Sequence, residues 1–516
     1  MKKYTADFES ATWLPDSTYV WAWAVCDIED TEKVILGNSI DTFMEFCKNS
    51  NNSKFWFHNL KFDGEFIIYY LIKNGFKYIK SKKEADNKTF TTLISDLGMF
   101  YEITVYFSKK GKRVCKVTFL DSLKILPFSV DQIAKSFNLE ISKLELDYKK
   151  EREVGHSLTK EEQDYIKNDV KIVAKALQVV FSENLQKMTI GANALDDYRR
   201  ILTDKKFRHY YPNLENFVDE DIRKAYKGGF TYLNPIYKEK DIGAGVVLDV
   251  NSLYPSVMYE KELPFGDGVF FEGKYKEDKV YSLYIQMITC RFSLKPNKIP
   301  TIQIKNHRFF YSNEYLTSSE GEIECLVLTS VDLKLFLEQY EVTDLEYISG
   351  WKFKAIKGLF TEYIDKWIKV KNEATISGNK GQRTLAKLML NSLYGKFATS
   401  LSAVSKAPYI EDDIVHYELE EPIAKKGIYL PMACFITAYA REKTIRTSQA
   451  IKDYSLKNYG IDMYLYSDTD SIHTTLPRED LTKFCQISDT ELRLLENRIR
   501  IYKSEICKTK VLHWRI

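Results

Sequence analysis

The chain has 516 residues, enough for two or more hydrophobic cores, and its net charge of +3 announces no polyanionic partner, which argues mildly against a purely charge-driven nucleic-acid binder and not against an enzyme with a local basic channel. Aromatic residues make up 14%, with 35 Tyr, a composition that suits stacking on bases and sugars, although ordinary core and surface tyrosines explain most of it. The eight cysteines (Cys26, Cys47, Cys115, Cys290, Cys325, Cys434, Cys485 and Cys507) show no CxxC or metal-ligand spacing, the N-terminus has no apolar signal region, and no apolar stretch is long enough to span a bilayer, so reduced thiols, no membrane span and a cytosolic protein are expected.

No repeat or low-complexity linker marks a boundary, so organisation has to be read from motifs. Lys3–Ser10 reads as a strand with Asp7 and Glu9 on one face, because alternate residues of a strand point the same way. A second acidic strand or turn is expected over Phe57–Gly64, carrying Asp63. The stretch Thr159–Leu185 has helical periodicity, opens on Thr159-Lys160-Glu161-Glu162 as a capping box, and projects Tyr165 and Asp169 from one face. Any one of these acids, taken singly, is more simply a solvated surface group. Together, in the order DxE, NxxxD, YxxxD and each beside apolar sequence, they fit a site for phosphodiester hydrolysis with two cations ~3.5–4 Å apart, Tyr165 orienting the attacking water.

Val246–Ser256 reads as an apolar strand that ends at Asp249 and turns. Arg383–Lys396 reads as a helix with Lys387, Asn391 and Tyr394 on one face, Leu385, Leu388, Met389 and Leu393 on another, and Gly395 as its C-cap. Tyr466-Ser467-Asp468-Thr469-Asp470-Ser471 reads as a strand or tight hairpin that turns two carboxylates to one point. Alone, Asp-Thr-Asp is more often a solvated turn, and a close acidic pair is costly unless a divalent cation neutralises it. Asp249, Asp468 and Asp470 together can hold two magnesium ions, with Arg383 and Lys387 screening phosphates. That is the apparatus of nucleotidyl transfer. Tyr254 follows Asp249 closely enough to lie against the sugar and exclude a 2′-hydroxyl.

These segments resemble the motifs of family B DNA polymerases, and within them the protein-primed group of small terminal-protein phages. Asp7-Phe8-Glu9, Asn59-Leu60-Lys61-Phe62-Asp63 and Tyr165–Asp169 resemble the three proofreading motifs; Asp249–Ser256, Lys387–Gly395 and Tyr466–Asp470 resemble the polymerase motifs. Tyr226-Lys227-Gly228-Gly229 matches the family's YxGG linker, which touches template. Asp121-Ser122-Leu123 and Lys143–Leu146 resemble accessory exonuclease motifs, in which Ser122 and Leu123 hold single-stranded primer and Lys143 supports hydrolysis. The resemblance adds Val250 to the metal ligands, Asn391 and Tyr394 to the nucleotide contacts, and Asn59, Phe62, Tyr226, Gly228, Gly229 and Ser252 to the DNA contacts. Ile299–Lys305 and Glu346–Gly350 bracket a first branch-specific insertion, and about 400–429 corresponds to a second, which implies a loop closing around template for processivity and strand displacement.

The family's KxY motif and thumb are not found before Ile516. The tail from Glu491 is unusually basic, and codons permitted for Lys503–Ile516 spell a KxY-like motif in the second frame. The expectation is a frameshift near residues 493–495, with weakened polymerisation and a less affected exonuclease.

The resemblance implies a multidomain α/β protein. Residues 1–190 would form a ribonuclease H-like 3′–5′ exonuclease, and 191–516 a right-hand polymerase. Within the latter, palm is expected over about 191–300 and 430–480, the first insertion over about 300–358, fingers over about 359–398, the second insertion over about 399–429, and an aberrant or truncated thumb over 481–516. The implied cofactor is Mg²⁺, two per active site, with Mn²⁺ as a substitute. The implied partners are template and primer DNA, deoxynucleoside triphosphates and a terminal protein, with the enzyme monomeric in the cytoplasm of a bacterial host. The rival readings are a chain that acts mainly as a 3′–5′ exonuclease and a non-catalytic nucleic-acid-binding remnant.

Overall fold

The computed structural model describes residues 1–14, 17–111, 113–250, 252–303, 315–477, 479–481 and 484. The basic tail with its reading-frame explanation, Asn251, and Ile304 and Lys305 at the edge of the first insertion lie outside the described residues. Two compact units divide the chain: residues 1–197 with 370–389 and 400–425, and residues 198–369 with 390–399 and 426 onward. Residues 370–389 of the segment expected as fingers, and 400–425 of the expected second insertion, thus group with the N-terminal unit, and the boundary falls inside the helix Lys380–Ser392.

The first unit is built on an eight-stranded sheet: β1 (Lys3–Ser10), β2 (Val20–Asp27), β3 (Val34–Gly37), β4 (Ser53–Phe57), β5 (Lys77–Tyr78), β6 (Thr89–Ile94), β7 (Phe100–Lys110) and β8 (Arg113–Asp121), in the order β3-β2-β1-β4-β8-β7-β6-β5. β1–β4 and β4–β8 pair in parallel, whereas β1–β2 and β7–β8 are antiparallel. All of β2 but its last residue is buried, as a near-continuous apolar run requires when both faces of a sheet are covered. One cover is α4 (Lys160–Ser182), pinned to the sheet by Thr5 Oγ1 donating to the Val170 carbonyl at 2.8 Å. Its expected capping box is present, with Thr159 and Glu162 bonding reciprocally. Helices α1 (Ile40–Asn49) and α2 (Leu60–Lys73) pack into an aromatic core of Phe8, Phe43, Phe55, Phe57 and Phe119. Burial of each such ring stabilises the unit by roughly 1.5–3 kcal/mol. The hairpin Lys406–Glu411/Ile414–Leu419 docks on this unit through Tyr417, whose hydroxyl donates to Glu65.

The acidic segment at residues 57–64, expected as a strand or turn, is a strand end and a turn that opens a helix. β4 stops at Phe57, Asn59 turns the chain with a left-handed φ of 75°, and Asp63 sits in the first turn of α2. The deciding residues lie further on: Ile67, Ile68 and Leu71 are buried at i, i+1 and i+4, a helical face rather than an alternating one.

In the second unit, β9 (Thr231–Leu233) and β10 (Val246–Asp249) join two C-terminal strands, β15 (Tyr464–Asp468) and β16 (Ser471–Thr474), in an antiparallel sheet of order β10-β16-β15-β9. A second sheet of order β11-β14-β12-β13 comprises β11 (Leu263–Glu272), β12 (Leu283–Leu294), β13 (Glu324–Thr329) and β14 (Tyr340–Ile356). A 30-residue helix, α6 (Leu430–Tyr459), counted after α3 (Val130–Phe137) and α5 (Leu253–Glu260), supports the first of these sheets. It starts with Pro431 in its first turn and ends on Gly460 at φ 70°, the usual asymmetry of helix punctuation.

The expected helix at residues 383–396 is shorter than its pattern. It ends at Ser392 and passes into a 3₁₀ segment, Tyr394–Ala398, so Tyr394 is not on the α-helical face and Gly395, whose φ is not positive, is not its cap. Phe397 is buried and Tyr394 stacks on Tyr254, and tighter winding serves those contacts. No described helix is long and apolar enough to cross a membrane.

Candidate active sites

In the first unit, β1 presents Asp7 and Glu9, the first turn of α2 presents Asp63, and α4 presents Asp169. Glu9, Asp63 and Asp169 are 7%, 2% and 4% exposed, so these are not solvated surface acids. Burial, and then the Asp169 charge, push the Asp7 carboxyl up to about 7. Burial and then Asp7 raise both Glu9 and Asp63 well above the ordinary range. Asp7 feels Asp169, Glu9 feels Asp7 and Asp169, and Asp63 feels Asp7 and Glu9 while its Oδ1 accepts the Phe8 N–H at 3.1 Å, so the four sequence-distant carboxylates are neighbours.

Lys143 reaches the same cluster, its ammonium 2.6 Å from Asp169 Oδ2. Burial pulls that ammonium down, but Asp169 more than offsets it and the net shift is upward. The other oxygen, Asp169 Oδ1, is buried with no hydrogen-bond donor among the described residues. An orphaned carboxylate oxygen within an all-oxygen donor set fits a hard divalent cation such as Mg²⁺ or Mn²⁺. Tyr165 is 2% exposed, and its hydroxyl shares a short hydrogen bond with that of Tyr148. Asn59 and Phe62 flank Asp63; Phe62 is half exposed, whereas Ser122 is fully buried and leads into Leu123.

In the second unit, Asp249 of β10 and Asp468 of β15 are both cross-strand partners of Ser471 in β16. Directly opposed residues leave an antiparallel sheet on the same face, so the two carboxylates flank Ser471. With strands ~4.8 Å apart, their Cα atoms stand about 10 Å apart. Asp470 is the second residue of the two-residue loop joining β15 to β16, and its carbonyl accepts the Val250 N–H at 2.7 Å. Asp468 Oδ1 accepts from Thr231 Oγ1 at 3.2 Å. Among the described residues, no three His, Cys, Asp or Glu side chains close into a ready-made cation cage. The donor set here is again hard oxygen.

The loop tip is strained: Thr469, a β-branched residue, holds φ 56°. Three contacts over-determine it. Its N–H donates to the Phe230 carbonyl at 2.8 Å, its carbonyl accepts Thr444 Oγ1 from α6 at 2.8 Å, and its side chain fills the space beside Gly229. A Cβ on Gly229 would lie 2.6 Å from Thr469 Oγ1, which is why the Tyr226–Gly229 segment needs glycine there. Arg441 donates to the carbonyls of Lys227 and Gly228 at 2.7 and 2.8 Å and pairs with Asp332. Ser252 opens α5 at φ 52°, and the Tyr254 and Tyr394 rings stack at 3.9 Å. Burial first, then Tyr254, raise the Tyr394 phenol, and Asp470 adds to this.

Arg383, Lys387 and Asn391 are exposed at i, i+4 and i+8 of the helix Lys380–Ser392, and Leu385, Ala386, Met389 and Leu390 are buried on its other side. Arg383 and Lys387 belong to the first unit, Asn391 and Tyr394 to the second. Sequence reasoning missed Thr231, Thr444, Tyr148 and Arg441. Each acts through a partner distant in the chain, and no local pattern marks such a residue.

The family described as DNA polymerase type B, organellar and viral, matches residues 45–155 and 145–486. The DNA polymerase of Bacillus phage phi29 is 47% identical over 479 residues, 92% of this chain and 80% of its own length; that of Streptococcus phage Cp-1 is 32% identical over 493 residues, 91% of this chain and 81% of its own. A solved Phi29 DNA polymerase complexed with primer-template DNA superposes with a TM-score of 0.86 at 45% identity, covering 92% of this chain and 80% of that one. A ternary complex with incoming nucleotide gives a TM-score of 0.84 at 45% identity, covering 92% of this chain and 81% of the other. The chain belongs to the organellar and viral type B DNA polymerases, enzymes of nucleotidyl transfer.

Proposed function

We propose that the chain is a protein-primed, DNA-directed DNA polymerase with 3′–5′ proofreading, replicating linear phage or plasmid DNA. The observation that carries this is the presence of two separate carboxylate groups in two compact units: Asp7, Glu9, Asp63 and Asp169 in one, Asp249, Asp468 and Asp470 in the other. We assign residues 1 to about 190 to the exonuclease and the remainder to palm, fingers and two insertions, with the second insertion (about 399–429) acting in strand displacement.

In synthesis, the primer 3′-hydroxyl attacks the α-phosphorus of a deoxynucleoside triphosphate and pyrophosphate leaves. Asp249, Asp468, Asp470 and the Val250 carbonyl would hold magnesium, which supplies nucleophile activation and charge neutralisation when bound. Lys387 and Arg383 bind the phosphates as cations; Asn391 and Tyr394 border the nucleotide. Tyr254 lies against the sugar and rejects a 2′-hydroxyl sterically. Tyr226, Gly228, Gly229 and Ser252 contact template or primer. In degradation, the four N-terminal carboxylates would hold the second metal pair, Lys143 steadies Asp169, and Tyr165 orients water. Asn59, Phe62, Ser122 and Leu123 hold the frayed 3′ end. The partners are primer-template DNA, deoxynucleotides and a terminal protein whose hydroxyl starts synthesis, and the enzyme works as a monomer in a bacterial cytoplasm.

The test is primer extension with Mg²⁺ on a matched and a 3′-mismatched primer. Template-directed extension of the first, and trimming before extension of the second, are expected. Extension without trimming would remove the proofreading assignment, and no extension would remove the polymerase assignment.

A further inference from the structure

Two turns border the N-terminal carboxylate cluster, and one buried side chain outside that cluster ties them together. Asp121, the last residue of β8, is in register with Phe57, the last of β4, so both chains leave the sheet side by side. One turn runs through Asn59 to Phe62 and Asp63; the other runs through Ser122 and Leu123. Asp121 Oδ1 accepts the Asn59 N–H at 3.1 Å and the Leu123 N–H at 2.9 Å. Its Oδ2 lies 3.4 Å from Lys124 Nζ, and the residue is 3% exposed. A second stitch runs beneath: Ser122 Oγ donates to the Phe57 carbonyl at 2.9 Å and meets His58 Nδ1 at 3.0 Å.

The location gives this tie its consequence. Asp63 belongs to the carboxylate cluster, and Asn59 and the exposed Phe62 lie on the same turn. A strand with its scissile phosphate at the cluster would lie beside that turn, because Asp63 is part of both. Asn59 sits at φ 75°, a left-handed conformation that asparagine adopts more readily than other side chains, and the N–H bond to Asp121 helps to hold the turn in place.

We propose that Asp121 is a positioning residue for the single-stranded 3′ end. It fixes the spacing of the two turns, so that strand binding requires little rearrangement. The proposal rests on the exonuclease reading of the N-terminal cluster.

The test is steady-state degradation of a short 5′-labelled single-stranded deoxyoligonucleotide with Mg²⁺, comparing the unsubstituted chain with Asp121→Ala and Asp121→Asn. Asp121→Ala should raise KM roughly ten-fold, the scale of one or two lost hydrogen bonds, with kcat within about two-fold. Asp121→Asn should restore KM, because its amide oxygen can accept the same two N–H groups. If Asp121→Ala does not fold, Asp121→Ser, whose shorter hydroxyl reaches at most one N–H, should show a smaller rise in KM. A fall in kcat at unchanged KM, or an Asp121→Asn as impaired as Asp121→Ala, would overturn the proposal. An unsubstituted chain that cuts, with Asp121→Ala indistinguishable from it, removes only the role of Asp121. An unsubstituted chain that neither binds nor cuts the oligonucleotide removes the exonuclease reading and this proposal with it.

Discussion

Asp249 and Asp468 face the same side of one sheet because both pair with Ser471, the residue between them. The space separating the two carboxylates is therefore occupied by a side chain no larger than a hydroxymethyl group. Ser471→Leu should fill it while keeping the strand's alternation. Nucleotide incorporation should fall about 100-fold or more, the scale on which loss of a positioned charge-stabilising group acts. Degradation of single strands should stay within about two-fold. Primer extension and circular dichroism on the same preparation check this, and parent-like extension would argue against a shared site.

Gly229 and Thr469 form a close contact that leaves no space for a Cβ. Gly229→Ala should destabilise the second unit by roughly 1–3 kcal/mol, the usual cost of overpacking, and lower synthesis. Combining it with Thr469→Gly removes both the clash and the left-handed β-branched residue, so the double variant should recover melting temperature. Additive losses in thermal melting would contradict the contact.

The N-terminal carboxylates give a pH dependence of defined sign. Asp7 titrates at about 7 in the folded chain against an ordinary value of 3.8, so the folded state binds that proton more tightly. Its contribution to stability is complete below about pH 4 and is lost as pH rises through about 7. In EDTA the first unit should melt at a lower temperature at pH 8 than at pH 6, and Mg²⁺ should raise melting more at pH 8. Asp7→Asn should flatten both effects in differential scanning calorimetry, and an unchanged Mg²⁺ response in that variant would contradict them.

Glu162 has the opposite sign. Burial alone would raise its carboxyl, but hydrogen bonds from Arg152, Thr159 and His156 and the Arg152 charge hold it down at about 2. Stability from this group is present above about pH 4.5 and is lost as pH falls through about 2. Glu162→Gln should lower the melting temperature at pH 7 and shrink the further loss between pH 4.5 and pH 2.5. An acid-unfolding curve identical to that of the unsubstituted chain would show that the cluster contributes little.

Much of this was legible along the chain. β1 with its alternating Asp7 and Glu9, the Thr159–Glu162 capping box, and β10 ending at Asp249 follow from periodicity and capping chemistry that operate within a few residues. The helix Lys380–Ser392 also showed its polar and apolar faces in the sequence. Its end did not, because Phe397 and Tyr394 meet partners outside the helix and tighten the chain into a 3₁₀ segment that a glycine signal cannot foretell. A turn after Phe57 was among the expectations, but the helix that carries Asp63 was not, and the Asn59 turn that leads into it is held by Asp121, 62 residues away. Arg441, Thr444 and Thr231 likewise act across sheets and helices rather than along them.

The most direct measurement is a crossed assay of two single substitutions, Asp7→Asn and Asp249→Asn, each scored for single-strand degradation and for primer extension with Mg²⁺. Asp7→Asn should lose degradation and keep extension, and Asp249→Asn the reverse, each loss about 10³-fold or larger. If either substitution removes both activities in a folded protein, or neither does, the chain does not carry two independent carboxylate sites.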